Sequence, residues 1–225
     1  MIVVTGRMVQ SLQRIVPLSI LGEPAICYQG AVVVDADGTW LRHEPIEVGL
    51  AREAITALEA EDYHPNVYVD DELYVSRLSE YAEAYATFQG LDIHVVGDVR
   101  AWLEQPATKI VCVGDPDALD ALEVRMKQVF ANRLTISKSL PHFLEFSALG
   151  ITKASGMDFL AGRMGFTPQQ TIAFGDGEND VELVAWAGYG IAVENAHPRV
   201  KAVADWICPP ADEEGVALVL EAMLG

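Results

Sequence analysis

The sequence is short of cationic residues and of cysteine. Lys and Arg number 15 against 33 Asp and Glu, so the 225-residue chain carries a formal net charge of −18. A chain this acidic repels nucleic acid and anionic lipid, which excludes both as partners. It also repels anionic substrates, unless a bound cation or a local basic residue reverses the field. Cysteine occurs only as Cys27, Cys112 and Cys208, an odd count spread along the chain. No CxxC pair or short metal-ligand spacing is present. This points to reduced thiols in a cytoplasmic protein and away from a disulfide framework. No apolar run approaches the ~18 residues that span a bilayer. The opening Met1-Ile2-Val3-Val4-Thr5-Gly6-Arg7 lacks the basic segment and long apolar stretch of a secretion signal. Repeats and low-complexity tracts are absent.

What is present is the make-up of an ordinary globular protein, with 51% hydrophobic and 21% charged residues. Strand and helix patterns alternate throughout, which favours an α/β fold. Ile2–Val4 reads as a buried strand broken by Gly6, and Arg7–Val16 has helical spacing. Asp-Gly between the apolar runs Gly30–Val34 and Trp40–Leu41 predicts a hairpin. Strands and helices then alternate as far as Phe146. Past Gly150 the strands become wholly apolar, Thr171–Phe174 above all, as in a parallel sheet covered on both faces. The β-rich centre reads as an insertion between two pieces of a parallel core.

The strongest chemical signal is Ile172-Ala173-Phe174-Gly175-Asp176-Gly177-Glu178-Asn179-Asp180. An apolar strand runs into a glycine turn that offers carboxylates and an amide before a helix begins. Asp176 falls at the carboxyl end of the strand, where open α/β sheets place ligands. Asp180 follows four residues later, so both carboxylates can converge on one point. Hard oxygen donors of this kind suit Mg²⁺, which takes one or two carboxylates plus substrate phosphate. The plain structural alternative is an Asp-Gly turn with a helix cap. Thr5-Gly6-Arg7 also ends a strand and opens a helix, and its hydroxyl and N–H groups could hold a phosphoryl oxygen. Lys153, just before a helix, could neutralise phosphate charge. For Thr5 the alternative is a helix cap, and for Lys153 a solvated surface lysine.

Together with Asn195-Ala196 and Pro24–Ala31, these motifs make the chain resemble haloacid dehalogenase-superfamily phosphatases. The likeness is to the sugar-phosphatase-like branch with a large α/β cap (type IIB). The resemblance implies a parallel-sheet core of residues 1–28 and 148–225 with a cap of residues 29–147 inserted into it. Where the family usually enters its cap with Asn-Gly-Ala, this sequence has Gln29. The resemblance further implies Mg²⁺-dependent hydrolysis of a small phosphorylated substrate through an aspartyl-phosphate. Thr5 and Lys153 would hold the phosphoryl group. Asp176 and Asp180 would bind Mg²⁺ with Asn179 in support, and Gly6, Arg7 and Gln29 would face the substrate.

One element of the family pattern is missing. An Asp-x-Asp-Gly-Thr strand, with the helix after it, should precede Thr5. A strand–crossover–strand unit takes roughly 30 residues, and only four residues precede Thr5. The string Asp35-Ala36-Asp37-Gly38-Thr39 matches, but it follows Thr5 and sits where the hairpin turn is expected. Gly114-Asp115-Pro116-Asp117 imitates a metal loop, but Asp117 and Asp120 read as residues of a helix N-terminus. The expectation is therefore a phosphatase-like polypeptide without turnover. The competing expectation is a non-catalytic protein of this fold that binds metal, phosphate or a protein partner. Its core sheet would be incomplete and open to a second copy or a donated strand.

Overall fold

The computed structural model describes residues 1–225, the side chain of residue 224 excepted, and divides into two compact units, Met1–Ile151 and Thr152–Gly225.

The first unit opens with helices α1 (Val9–Ile15) and α2 (Leu18–Leu21). Strands β1 (Ala25–Cys27), β2 (Val32–Val34) and β3 (Trp40–His43) follow and form an antiparallel sheet in that order. The β2–β3 turn is the expected hairpin. Asp35 N–H donates to the Thr39 carbonyl at 2.8 Å, and Gly38 takes φ +89°, a backbone conformation that glycine reaches without a Cβ penalty. Next come α3 (Val48–Glu59), β4 (Asn66–Val69), β5 (Glu72–Val75), α4 (Glu80–Gln89), β6 (Ile93–Val95), α5 (Val99–Trp102), β7 (Lys109–Val113), α6 (Pro116–Val129), β8 (Leu134–Leu140) and β9 (Phe143–Ala148). The six strands β4–β9 build one sheet in the order β6-β5-β4-β7-β9-β8, antiparallel except for the β5–β6 pair. Apolar residues of α3, α6 and this sheet, including Ile55, Leu58, Leu122, Ile110 and Phe146, make one core. A second core, of Leu12, Tyr28, Tyr68, Tyr85 and Phe143, ties the first thirty residues to α4 and to the sheet.

The expected strand Ile2–Val4 is reduced to one parallel bridge between Val4 and Ile26. The other edge of β1 is already taken by β2, and the chain turns away at Gly6 after one rung. Asp115 caps α6 by accepting from the Asp117 and Ala118 amides. Asp120 pairs with Lys138. The acidic stretch around Asp115 is thus consumed in helix capping and surface pairing.

The second unit contains α7 (Lys153–Met164), β10 (Ile172–Gly175), α8 (Val181–Trp186), β11 (Tyr189–Val193), α9 (Pro198–Lys201), β12 (Trp206–Cys208) and α10 (Gly215–Leu224). Its three strands form an all-parallel sheet in the order β10-β11-β12, the α/β architecture the strand–helix alternation predicts. Helix α7 starts at Lys153 itself, the residue expected to lie just before a helix. A capping box explains this: Thr152 accepts from Ser155 N–H while Ser155 returns the bond to Thr152 N–H. The double-sided cover expected of β10 is not found. It is an edge strand of this sheet, with Ile172 41% exposed and Phe174 only half-buried.

Candidate active site

The second unit places its chemistry in the turn between β10 and α8. Gly175 closes the strand because a Cβ there would lie 2.6 Å from Asp180 Cβ and 2.8 Å from a Val184 methyl. That close approach lets Asp180 fold back under the turn. Its Oδ2 accepts from the amides of Asp176 (3.1 Å) and Gly177 (3.0 Å), and its Oδ1 accepts from Lys153 Nζ at 2.5 Å. Lys153 and Asp180 are both buried, so their charges attract strongly and would be costly apart. Lys153 is therefore not a solvated surface lysine.

Asp176 lies on the exposed side of the same turn. Partial desolvation, and then the negative charge of Asp180, raise its carboxyl above the ordinary carboxylate range, with Lys153 opposing. Two carboxylates thus crowd one lysine. Such an excess of negative charge is relieved by a proton or by a cation. Among the described residues no cluster of three or more His, Cys, Asp or Glu could hold a metal. The pair Asp176 and Asp180 nevertheless fits Mg²⁺, which keeps several waters and needs only one or two carboxylates. Of the two, Asp176 is the more available ligand, because both oxygens of Asp180 already accept internal bonds.

The turn is braced from the next loop. His197 N–H donates to the Asp176 carbonyl at 2.8 Å, and Arg199 pairs with Glu178. Asn179 stands in the single 3₁₀ turn Glu178–Asp180, beside Gly177. Asn195 Oδ1 accepts from Ala211 N–H at 3.1 Å, fixing the loop after β11.

The first unit places Thr5, Gly6, Arg7 and Gln29 in one neighbourhood. Thr5 N–H donates to the Ile26 carbonyl, and the Thr5 carbonyl accepts from Gln29 N–H. Thr5 Oγ1 accepts from Arg7 N–H at 3.1 Å. This is a local turn, and it leaves the hydroxyl proton to donate elsewhere. The Arg7 guanidinium bonds Ser11 and Gln89 at 3.0 Å each and lies over the Phe88 ring. Gln29 is buried, and its amide donates to Glu145 Oε2 at 3.3 Å. A Cβ on Gly6 would collide with that amide.

Asp35 and Asp37 stabilise their own turn: Asp35 Oδ1 accepts from Ala36 N–H and Asp37 Oδ1 from Thr39 N–H. Sequence reasoning missed three buried charged residues near the Thr5 turn: Lys109, Glu145 and Asp71. The signal was present as single charges inside apolar strands, in Lys109-Ile110-Val111-Cys112-Val113 and Phe143-Leu144-Glu145-Phe146.

The sequence pattern of haloacid dehalogenase-like hydrolases matches residues 1–220. The 5-amino-6-(5-phospho-D-ribitylamino)uracil phosphatase YitU of Bacillus subtilis is 26% identical over 223 residues, covering 96% of this chain and 82% of its own. A Streptococcus pyogenes protein named as a phosphatase is 34% identical over 109 residues. That match covers 48% of this chain and 40% of the streptococcal one, so the chain spans less than half of that relative's length. Among solved structures, a Thermotoga maritima protein superposes with a TM-score of 0.82 at 28% identity, covering 98% of this chain and 84% of its own.

Proposed function

The chain belongs to the haloacid dehalogenase-like hydrolases, and on that premise we propose that it supplies the magnesium- and phosphoryl-holding groups of a phosphatase acting on a small, sugar-phosphate-like monoester. The observation that carries this reading is the turn in which Asp176 crowds Asp180 beside buried Lys153. Asp176, backed by Asp180, would hold Mg²⁺. Bound there, Mg²⁺ would supply charge screening between carboxylate and phosphate. Lys153 would neutralise phosphoryl charge, Thr5 would donate its hydroxyl proton to a phosphoryl oxygen, and Asn179 would steady the metal turn. Gly6, Arg7 and Gln29 are proposed to shape the phosphoryl-facing turn. Their side-chain bonds to Gln89 and Glu145 favour a supporting part over direct substrate contact.

The division into core residues 1–28 and 148–225 with a type IIB cap at 29–147 belongs to the same proposal. Support comes from the six-stranded sheet built entirely between β4 and β9. Among the described residues, no helix is long and apolar enough to cross a membrane. The three buried, unpaired cysteines support the cytoplasmic assignment.

Turnover through an aspartyl-phosphate needs a nucleophilic aspartate, with a second carboxylate as acid and base. Asp35 and Asp37 are engaged in their own hairpin turn, so we propose that residues 1–225 bind metal and phosphate without hydrolysing the ester. The alternative reading is a purely non-catalytic binding protein. The apolar edge strand β10 favours it, since such an edge accepts a strand from a partner or a second copy. The test is hydrolysis of an aryl phosphate with Mg²⁺. No turnover, together with Mg²⁺-dependent phosphate binding lost in Asp176→Asn, is expected. Turnover abolished by Asp35→Asn would make Asp35 the nucleophile and overturn the reading. Absence of any Mg²⁺ binding would leave the partner-binding reading in its place.

A further inference from the structure

The Gly6–Arg7 peptide is held from both sides. In a trans peptide the C=O and the following N–H point in opposite directions. On one side, Lys109 Nζ donates to the Gly6 carbonyl at 2.9 Å. On the other, Arg7 N–H donates to Thr5 Oγ1 at 3.1 Å. Glycine permits this peptide to flip more readily than any other residue would. A flip would remove the donor from Thr5 and turn the hydroxyl loose.

Lys109 comes from β7, 103 residues further along the chain, and is 1% exposed. Its ammonium sits near the Tyr28 and Tyr68 rings, 5.6 and 5.2 Å from their centroids. Glu145 of β9 balances its charge at 3.3 Å. Glu145 is fixed in turn by Ser139 Oγ at 2.6 Å and by the Gln29 amide. That amide fills the space a Gly6 side chain would need. A buried lysine–carboxylate pair is a weak source of net stability compared with apolar residues of the same volume. What this one contributes that apolar residues could not is a cation aimed at the Gly6 carbonyl.

We propose that Lys109 is a positioning residue: through the Gly6–Arg7 peptide it fixes the Thr5 hydroxyl in the orientation that donates to a phosphoryl oxygen. This inference rests on the reading of Thr5 as a phosphoryl-holding group. Glu145, Gln29 and Ser139 hold Lys109 in place.

The experiment compares wild type, Thr5→Val and the neutral pair Lys109→Met/Glu145→Gln, which avoids stranding a buried charge. Amide hydrogen exchange by NMR reads the peptide directly. The Arg7 amide exchanges about tenfold faster in both variants than in wild type, the loss of one modest hydrogen bond. Calorimetric titration of inorganic phosphate with Mg²⁺ gives a loss of about tenfold in each variant, and no further loss when they are combined. A folded neutral pair with wild-type Arg7 exchange and phosphate affinity overturns the proposal. Equal Arg7 exchange in wild type and Thr5→Val also overturns it, and needs no change at Lys109. If wild type binds no phosphate, the proposed function fails, while the exchange comparison still decides the orientation of the peptide.

Discussion

Lys153 Nζ lies 2.5 Å from Asp180 Oδ1, and the other oxygen of Asp180 accepts the amides of Asp176 and Gly177. One buried carboxylate thus joins the first residue of α7 to the turn that follows β10. Removing either partner leaves the other charged and buried. Asp180→Ala is expected to cost about 3–5 kcal/mol, read from urea denaturation of the chain. A cost below ~1 kcal/mol would show that the pair does not hold the turn.

Asp176 has the opposite effect on the unliganded chain. Its raised carboxyl pKa means that the folded state binds a proton more tightly than the unfolded state. Its contribution to stability is therefore full below the ordinary carboxylate pKa and is lost as pH rises through the raised value. Asp176→Asn flattens this fall, and Mg²⁺ restores stability above it in wild type only. Thermal melts from pH 4 to 7, with and without Mg²⁺, measure both effects. A wild-type melting profile that rises across this range relative to Asp176→Asn would reverse the sign and refute the argument.

Asp71 anchors the start of α1 within the first unit. With φ +62° in the β4–β5 turn, it accepts the Val9 and Gln10 amides at the start of α1 and the Tyr28 hydroxyl. Asp71→Ala loses this cap and leaves the buried Tyr28 hydroxyl without an acceptor, an expected cost of about 2 kcal/mol. Its neighbour Asp70 is exposed at φ +51°. Asp70→Gly relieves that backbone and is expected to stabilise by about 0.5–1 kcal/mol. Equilibrium denaturation of the two variants should move in opposite directions.

The cysteines report on packing. Burial pushes the Cys27 thiol up to about 12 and raises Cys112 and Cys208 as well. Thiolate is the reactive form, so an aromatic disulfide reagent at pH 8 should label none of the three until the chain is unfolded. Fast labelling of Cys27 in the native protein would contradict the packing of β1.

Much of this was legible in the sequence because the signals are local. Asp37-Gly38 announces its hairpin, and Ile172–Asp180 announces a strand, a turn and a helix within nine residues. The pair Lys109 and Glu145 was not legible, because nothing within either strand says which opposite charge it meets. The bond from Lys109 to Gly6 spans 103 residues and depends on the whole sheet order. Apolar composition also misled for β10, since it indicates what a strand can bury and not what lies beside it. Ile2–Val4 has a strand's composition but pairs at only one position.

The most direct test is a calorimetric titration of Mg²⁺ into the chain in the presence of inorganic phosphate. Wild type and Asp35→Asn should bind alike, and Asp176→Asn should lose binding at least tenfold, as expected if Asp176 is a direct ligand. Unchanged binding in Asp176→Asn, or loss of binding in Asp35→Asn, would contradict the placement of the site.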